Sequence, residues 1–322
     1  AGMNAGKLEK TGIKSFSIDG TPADNVGTSF STPWVSRMAA ELTHLVKEEF
    51  DPLLIRALLI HNAKYPANNS MSMTDKVTQM GFGAPSSVQE MLYNSEDEIT
   101  LILRDTLEKG SFIEMFDFPF PESLVDKDGN FVGQIIVTLV TKSLLDDKQA
   151  GEYCQSNIDI LFGTYETETD CDTSKKGIKN PKGLEEPQNI LLESLYSARV
   201  KGAHPFTGFE RECTLVKYGK KFHPVKKYAI DLSEMTTSNR QRYLRGDRKW
   251  YLKIEGLYRD FIEQDARARN YQLSQEYCLL LTIRDPNGKA PVYDEVAQQL
   301  DYKNFLHHNI QLRNVVTIDG TL

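Results

Sequence analysis

The sequence predicts a mixed α/β plus all-β fold: a helix-rich part over residues 1–95 and a β-sandwich over residues 96–322. Three observations carry this. Apolar residues spaced three and four apart dominate the first part. Alternating runs replace them from Ile99 onward. Turn signals rich in Asp, Asn, Gly and Pro separate those runs. With 322 residues, 40% hydrophobic and 26% charged, the composition is that of an ordinary globular chain. That length is enough for about two domains.

In chain order, residues 33–49 set Val35, Met38, Ala39, Leu42, Leu45 and Val46 along one helical stripe. Pro33 stands near its start, where a missing N–H costs little. Asp51 and Pro52 supply an N-cap and a first-turn proline for a second helix reaching residue 63, with Leu54, Leu58 and His61 along one side. Gly81-Phe82-Gly83-Ala84-Pro85 breaks the pattern. Ile135, Val137 and Leu139 then oppose Ile136, Thr138 and Val140, as in a strand buried on both faces or nearly so. Similar runs cover 158–162, 251–254 and 277–283. Residues 126–130 and Asp285-Pro286-Asn287-Gly288 read as turns, 164–187 as a long exposed loop, and 258–268 as a charged helix with Asp260, Glu263 and Asp265 on a solvated face.

Several function classes are disfavoured. A net charge of -7 and a pI near 5.5 argue against a surface built to neutralise phosphates. The basic stretches 217–221 with Lys226 and Lys227, and 240–249 beside Trp250, read instead as solvated edges and loops. The apolar stretch 53–60 falls well short of the roughly 18 residues a membrane helix needs, and residues 1–10 lack the apolar centre of a secretory signal. Cys154, Cys171, Cys213 and Cys278 form no CxxC pair, so neither zinc nor a dense disulfide framework is expected, and a reducing cytoplasm is. His61, His204, His223, His307 and His308 lack metal-ligand spacing. Asp126, Asp128 and Asn130 open like a calcium loop, but no glutamate completes it and a plain turn is expected.

The segment that carries chemistry is Gly27-Thr28-Ser29-Phe30-Ser31-Thr32-Pro33, placed just before the first helix. A serine hydroxyl at a helix N-terminus lies beside free N–H groups and the positive end of the helix dipole, where negative charge on a substrate carbonyl is stabilised. Gly27 lets chain and substrate approach closely. Thr28 and Thr32 can satisfy orphan helix donors, and small neighbours keep the Ser29 hydroxyl accessible. Taken alone, Gly27-Thr28-Ser29 reads as an ordinary N-cap. The whole heptad, the helix after it, the second helix with its Leu54-Ile55-Arg56-Ala57-Leu58-Leu59 centre, and Gly81-Phe82-Gly83 in that order resemble the subtilase family of serine proteases over about residues 12–92. Looser similarity runs through 135–162.

The resemblance implies the C-terminal part of a subtilisin-like α/β catalytic domain over 1–95, followed by a jelly-roll-like β-sandwich over 96–322. It implies a serine endopeptidase acting on protein or peptide substrates, with Ser29 as nucleophile, its own backbone N–H as one oxyanion donor, and Gly27, Thr28 and Pro33 supporting the motif. The family's triad aspartate and histidine lie upstream of the serine, as does an asparagine of the oxyanion hole. Residues 1–28 contain no histidine, and His44, fifteen residues on, lies about 22 Å along the helix axis. The missing catalytic segment leaves three explanations: a fragment of a longer protease, a chain completed by a partner, or a noncatalytic relative. No redox or organic cofactor is required; structural calcium occurs in the family. Some members of similar layout suggest an AAA-type ATPase as partner, while neither nucleic acid nor membrane is expected. The alternative from another class is a protease-derived binding or scaffolding module.

Overall fold

The computed structural model describes residues 3–4, 7–8, 13–25, 27–46, 50–65, 73–166, 188–196, 222–302, 308–309 and 311–312. Cys171, Cys213, His204, His307, the basic residues 217–221 and all but the first residues of the loop expected over 164–187 lie outside them. The chain divides into two compact units, Ala1–Ile55 and Arg56–Leu322.

The first unit holds two antiparallel pairs, β1 (Met3–Asn4) with β2 (Lys7–Leu8) and β3 (Ile13–Phe16) with β4 (Pro22–Asn25). Asp19 organises the β3–β4 turn. Its carboxylate accepts from the Thr21 N–H and hydroxyl and from the Ser17 hydroxyl, and the two side-chain bonds, from Ser17 above all, hold its pKa down at about 2. Helix α1 (Thr28–Leu45) follows. It starts at residue 28 rather than at 33, which places Pro33 inside the helix. Met38 and Leu42 are its buried residues, while Leu45, expected on the same stripe, is exposed.

Helix α2 (Pro52–His61) begins as expected, with the Asp51 carboxylate accepting from the N–H groups of Leu53 and Leu54 at 2.8 and 3.1 Å. The boundary between the units falls inside α2, well before the change of hydrophobic period near residue 95. The second unit continues with α3 (Met73–Met80) and α4 (Val88–Leu92). Ser87 caps α4, its hydroxyl accepting the Glu90 N–H and donating to the Glu90 carboxylate. Before α4, Lys64 and Ala84 pair through two backbone bonds of 2.9 and 3.0 Å. Gly83 permits this approach: its φ is +92°, and a Cβ there would lie 2.5 Å from the Lys64 carbonyl oxygen.

Beyond these helices come β5 (Tyr93–Asn94), β6 (Glu98–Glu108), β7 (Phe112–Phe118), β8 (Gln134–Thr141), β9 (Ser156–Tyr165), β10 (Gln188–Asn189), β11 (Val225–Asp231), β12 (Lys249–Tyr258) and β13 (Ser274–Arg284). The short β14 (His308–Asn309) and β15 (Gln311–Leu312) close the series. Three further helices are α5 (Thr237–Tyr243), α6 (Asp260–Arg269) and α7 (Val292–Tyr302). One antiparallel sheet has the order β11-β8-β13-β6-β14 and the other β10-β9-β12-β7. Alternate residues of both sheets, among them Leu101, Val137, Ile160, Leu252 and Leu281, meet in one apolar cluster. Trp250 lies within it, stacked on Phe120 at 4.1 Å and Phe162 at 5.0 Å.

Two expectations need correction. Lys226 and Lys227 are not solvated edge residues, since each is 2% exposed. Both sit on the edge strand β11, where neighbouring side chains point to opposite faces. Lys226 Nζ reaches the Ile158 carbonyl and the Asp159 carboxylate, and Lys227 Nζ reaches the Ala63 carbonyl just past α2, a cation at a helix C-terminus. In the stretch 240–249, Arg248 is also buried and bonds Thr164 and Glu166, so these charges are spent inside the fold. Asp126, by contrast, builds the expected turn. One carboxylate oxygen accepts the N–H groups of Asp128 and Asn130, and the other pairs with Arg240.

Candidate active site

Gly27 leads the chain into α1 and is its N-cap, at φ 155°, ψ 159°, a region essentially restricted to glycine. A Cβ there would have ordinary contact only, 3.7 Å from Phe30 Cδ2. The glycine is therefore required by backbone conformation rather than by the close approach its sequence suggested. No side chain caps the helix: Thr28 and Thr32 do not take the role expected of them. The Gly27 carbonyl instead accepts the N–H groups of Phe30 and Ser31 at 3.1 and 3.3 Å, and Ser31 Oγ donates to the Thr28 carbonyl at 3.3 Å.

Ser29 is the second residue of α1, and it is exposed. Its N–H belongs to the first turn, whose donors have no acceptor inside the helix. Its hydroxyl has no hydrogen-bond partner among the described residues. Pro33 adds a second effect. In an α-helix residue 33 would donate to the carbonyl of residue 29; proline has no N–H, so the Ser29 carbonyl lacks that bond too. The motif thus presents an accessible hydroxyl, an uncommitted N–H and a relaxed carbonyl on one residue at the positive end of an 18-residue helix.

Within its own unit, Ser29 has no described histidine in reach of its hydroxyl. His44 shares α1 but lies about 22 Å along its axis. In the second unit, His61 is 5% exposed and both ring nitrogens are occupied: Nδ1 lies 2.9 Å from Thr138 Oγ1 and Nε2 lies 2.7 Å from Thr282 Oγ1. Burial, helped by the nearby Lys227 charge, pushes its pKa down to about 3, so the ring is neutral. His223 Nδ1 bonds the Val225 carbonyl at 2.6 Å. Among the described residues no three His, Cys, Asp or Glu side chains cluster as metal ligands, and no helix is long and apolar enough to cross a membrane.

The second unit also contains a cavity of about 580 Å³, which sequence reasoning does not anticipate. Its floor includes His61, Thr100 and Thr282, and its wall Asn94, Glu98 and Arg284. The His61-Thr282 bond continues to Thr100 Oγ1 at 2.6 Å and on to Asn94 Oδ1 at 3.2 Å. Alternation marks Thr100, Thr138 and Thr282 as residues of the sheet face turned from the apolar cluster; only pairing in space reveals that Thr138 and Thr282 share one histidine.

Residues 9–85 match the model of the subtilase family. The match takes in the β3–β4 hairpin, α1, α2 and α3, with Ser29 at the head of α1. This segment is similar to the subtilase family. No curated protein matches the chain.

Proposed function

We propose that the chain is the serine-bearing part of a subtilisin-type endopeptidase that cleaves protein or peptide substrates through an acyl-enzyme on Ser29. The observation that carries this reading is the exposed Ser29 in the first turn of α1, behind a glycine in a glycine-only conformation, inside the family-matched segment. Ser29 Oγ attacks the scissile carbonyl, and the N–H of Ser29 donates to the oxyanion that forms. On this reading the histidine that takes the hydroxyl proton and the aspartate that orients it come from outside this chain, since the family places both upstream of the serine, residues 1–28 hold no histidine and His44 lies about 22 Å along α1. Water then releases the acyl group.

The sheets behind this segment we read as a jelly-roll sandwich serving as accessory domain, with residues 1–95 as the catalytic-domain part. Counting β6 to β13 as strands one to eight, the sheets run 6-3-8-1 and 5-4-7-2, the pairing of a double Greek key. The buried thiols Cys154 and Cys278 suit a reducing compartment, and an AAA-type ATPase is a partner class compatible with it. The second reading, a noncatalytic scaffold, rests on the lack of a histidine in residues 1–28 ahead of Ser29.

A fluorophosphonate probe followed by intact-mass analysis separates them. The chain, its Ser29→Ala variant and the product of the whole gene are compared. Adduct formation at Ser29 in the whole product, lost in Ser29→Ala, is the expected result. Absence of any adduct in the folded whole product overturns the peptidase and leaves the scaffold.

A further inference from the structure

The cavity lies wholly within the second unit, and its floor is chemically quiet. The lining residues His61, Thr100, Thr282 and Asn94, together with Thr138 outside the lining, form one hydrogen-bonded chain, so these groups do not call for a ligand. The charges above them are different. Glu98 begins β6 and Arg284 ends β13 beside it, yet their closest N–O distance is 4.0 Å. Arg284 instead directs Nε and Nη2 to Gln134 Oε1, at 3.2 and 2.7 Å. The Glu98 carboxylate is therefore three-quarters buried, at 25% side-chain exposure, with a cation only at the limit of ion-pair range.

The balance of forces on Glu98 points the same way. Burial raises its carboxyl pKa, and Asp97 adds to this, whereas Arg284, Lys64 and the Ser95 N–H pull it down without restoring its ordinary value. Glu90 and Glu96 also line the cavity and add negative potential, and Lys289 adds positive. Glu96 and Asp97 have no ion-pair partner among the described residues. Their turn is held rigid: the Asp97 carbonyl accepts the Asp285 N–H at 2.9 Å and the Glu96 carbonyl accepts the Tyr293 N–H at 3.1 Å. Met91, Ile136, Ala290 and Pro291 supply apolar lining beside these carboxylates. A polar head between carboxylates and an apolar wall beside it fit a cation on an aliphatic stem. The volume is that of a specific small-ligand site.

We propose that this cavity binds a lysine or arginine side chain of an extended peptide, the cationic head meeting Glu98, Glu96 and Asp97 and the stem lying on Ile136, Ala290 and Pro291. Lys64 and Lys289, on the surface at the same opening, are placed to meet the peptide's carbonyl and carboxyl groups. The site itself stands independently of Ser29; only its use, recruiting substrate to the peptidase, rests on the function proposed above. A second cation in the cavity would also draw the Glu98 proton off, so binding strengthens as pH rises through the raised Glu98 pKa.

The test uses the full chain carrying Ser29→Ala, so that no cleavage intervenes, and fluorescence anisotropy with labelled pentapeptides of alanine whose central residue is Arg, Gln or Glu. The Arg peptide is expected to bind at least tenfold more tightly than the Gln peptide, with the Glu peptide weakest. Glu98→Gln should remove that preference while leaving the circular dichroism unchanged; where it perturbs folding, Glu96→Gln with Asp97→Asn, both on the surface turn, makes the same test. Equal binding of Arg and Gln peptides, no binding of any, or a preference that survives both sets of substitutions overturns the proposal. Probe labelling at Ser29 is unaffected by any of these results, so failure here is distinguishable from failure of the peptidase reading.

Discussion

At Gly27 a single backbone angle decides how α1 begins. The φ of 155° strains any L-residue, and the nearest contact that an added methyl would make, Phe30 Cδ2 at 3.7 Å, excludes crowding as the cause. Gly27→Ala should cost roughly 1–3 kcal/mol locally. Amide exchange over residues 28–34 would then quicken on the order of ten- to a hundredfold, measured by mass spectrometry; unchanged exchange would mean that alanine is accommodated. His61 makes the corresponding test of a buried side chain. Its folded pKa of about 3 lies below the ordinary 6.5, so the unfolded chain binds a proton that the folded chain refuses. The stability this contributes is present above pH 6.5 and is lost as pH falls from there towards 3, with a slope of about 1.4 kcal/mol per pH unit. Denaturant titrations of the wild type and His61→Gln should differ by that slope within the window and run parallel above it. Parallel curves throughout would show that burial beside Lys227 does not hold His61 neutral.

At the level of elements, the legible signals are those that a single stretch of chain carries. The alternation of residues 135–140 appears as β8 and the Asp51 cap as the start of α2, because period and capping are local. The start of α1 lies five residues before the position that Pro33 suggests, because proline most often marks a first turn; this helix instead accepts the lost bond in its second turn and begins at the serine motif itself. The β3–β4 hairpin is absent from the sequence reading although Asp19-Gly20 is a turn signal, Gly20 having φ +80°. Ser29 is legible because its neighbours form a contiguous motif. The cavity is not, since two residues that line it, His61 at the end of α2 and Thr282 on β13, meet across 221 residues of chain. Lys226 and Lys227 mislead for the same reason. Their charge suggests solvent, and only the third dimension supplies the carbonyls and carboxylate that allow burial.

For the molecule as a whole, the decisive question is whether the two compact units unfold together. The sequence provides its own reporters, for its two tryptophans fall one in each unit. Trp34 lies on α1 with 51% of its surface exposed, whereas Trp250 is 2% exposed and packed among Phe120, Phe131 and Phe162. The second unit has a large aromatic core to lose at once, which favours a sharp transition. The first buries only Met38 and Leu42 from the eighteen residues of α1 and has correspondingly little apolar burial holding that helix. Trp34→Phe leaves Trp250 alone to report, with blue-shifted emission and a cooperative transition at high denaturant; Trp250→Phe leaves Trp34, with red-shifted emission and a transition at lower denaturant. Because removing Trp250 itself weakens the second unit, Trp34 in that variant is compared with α1 amide exchange in the unsubstituted chain, which should show the same early opening. Coincident transitions in both measurements would mean that α2, which spans the boundary between Ile55 and Arg56, transmits stability from the sheets to the serine-bearing helix, and that the two units fold as one.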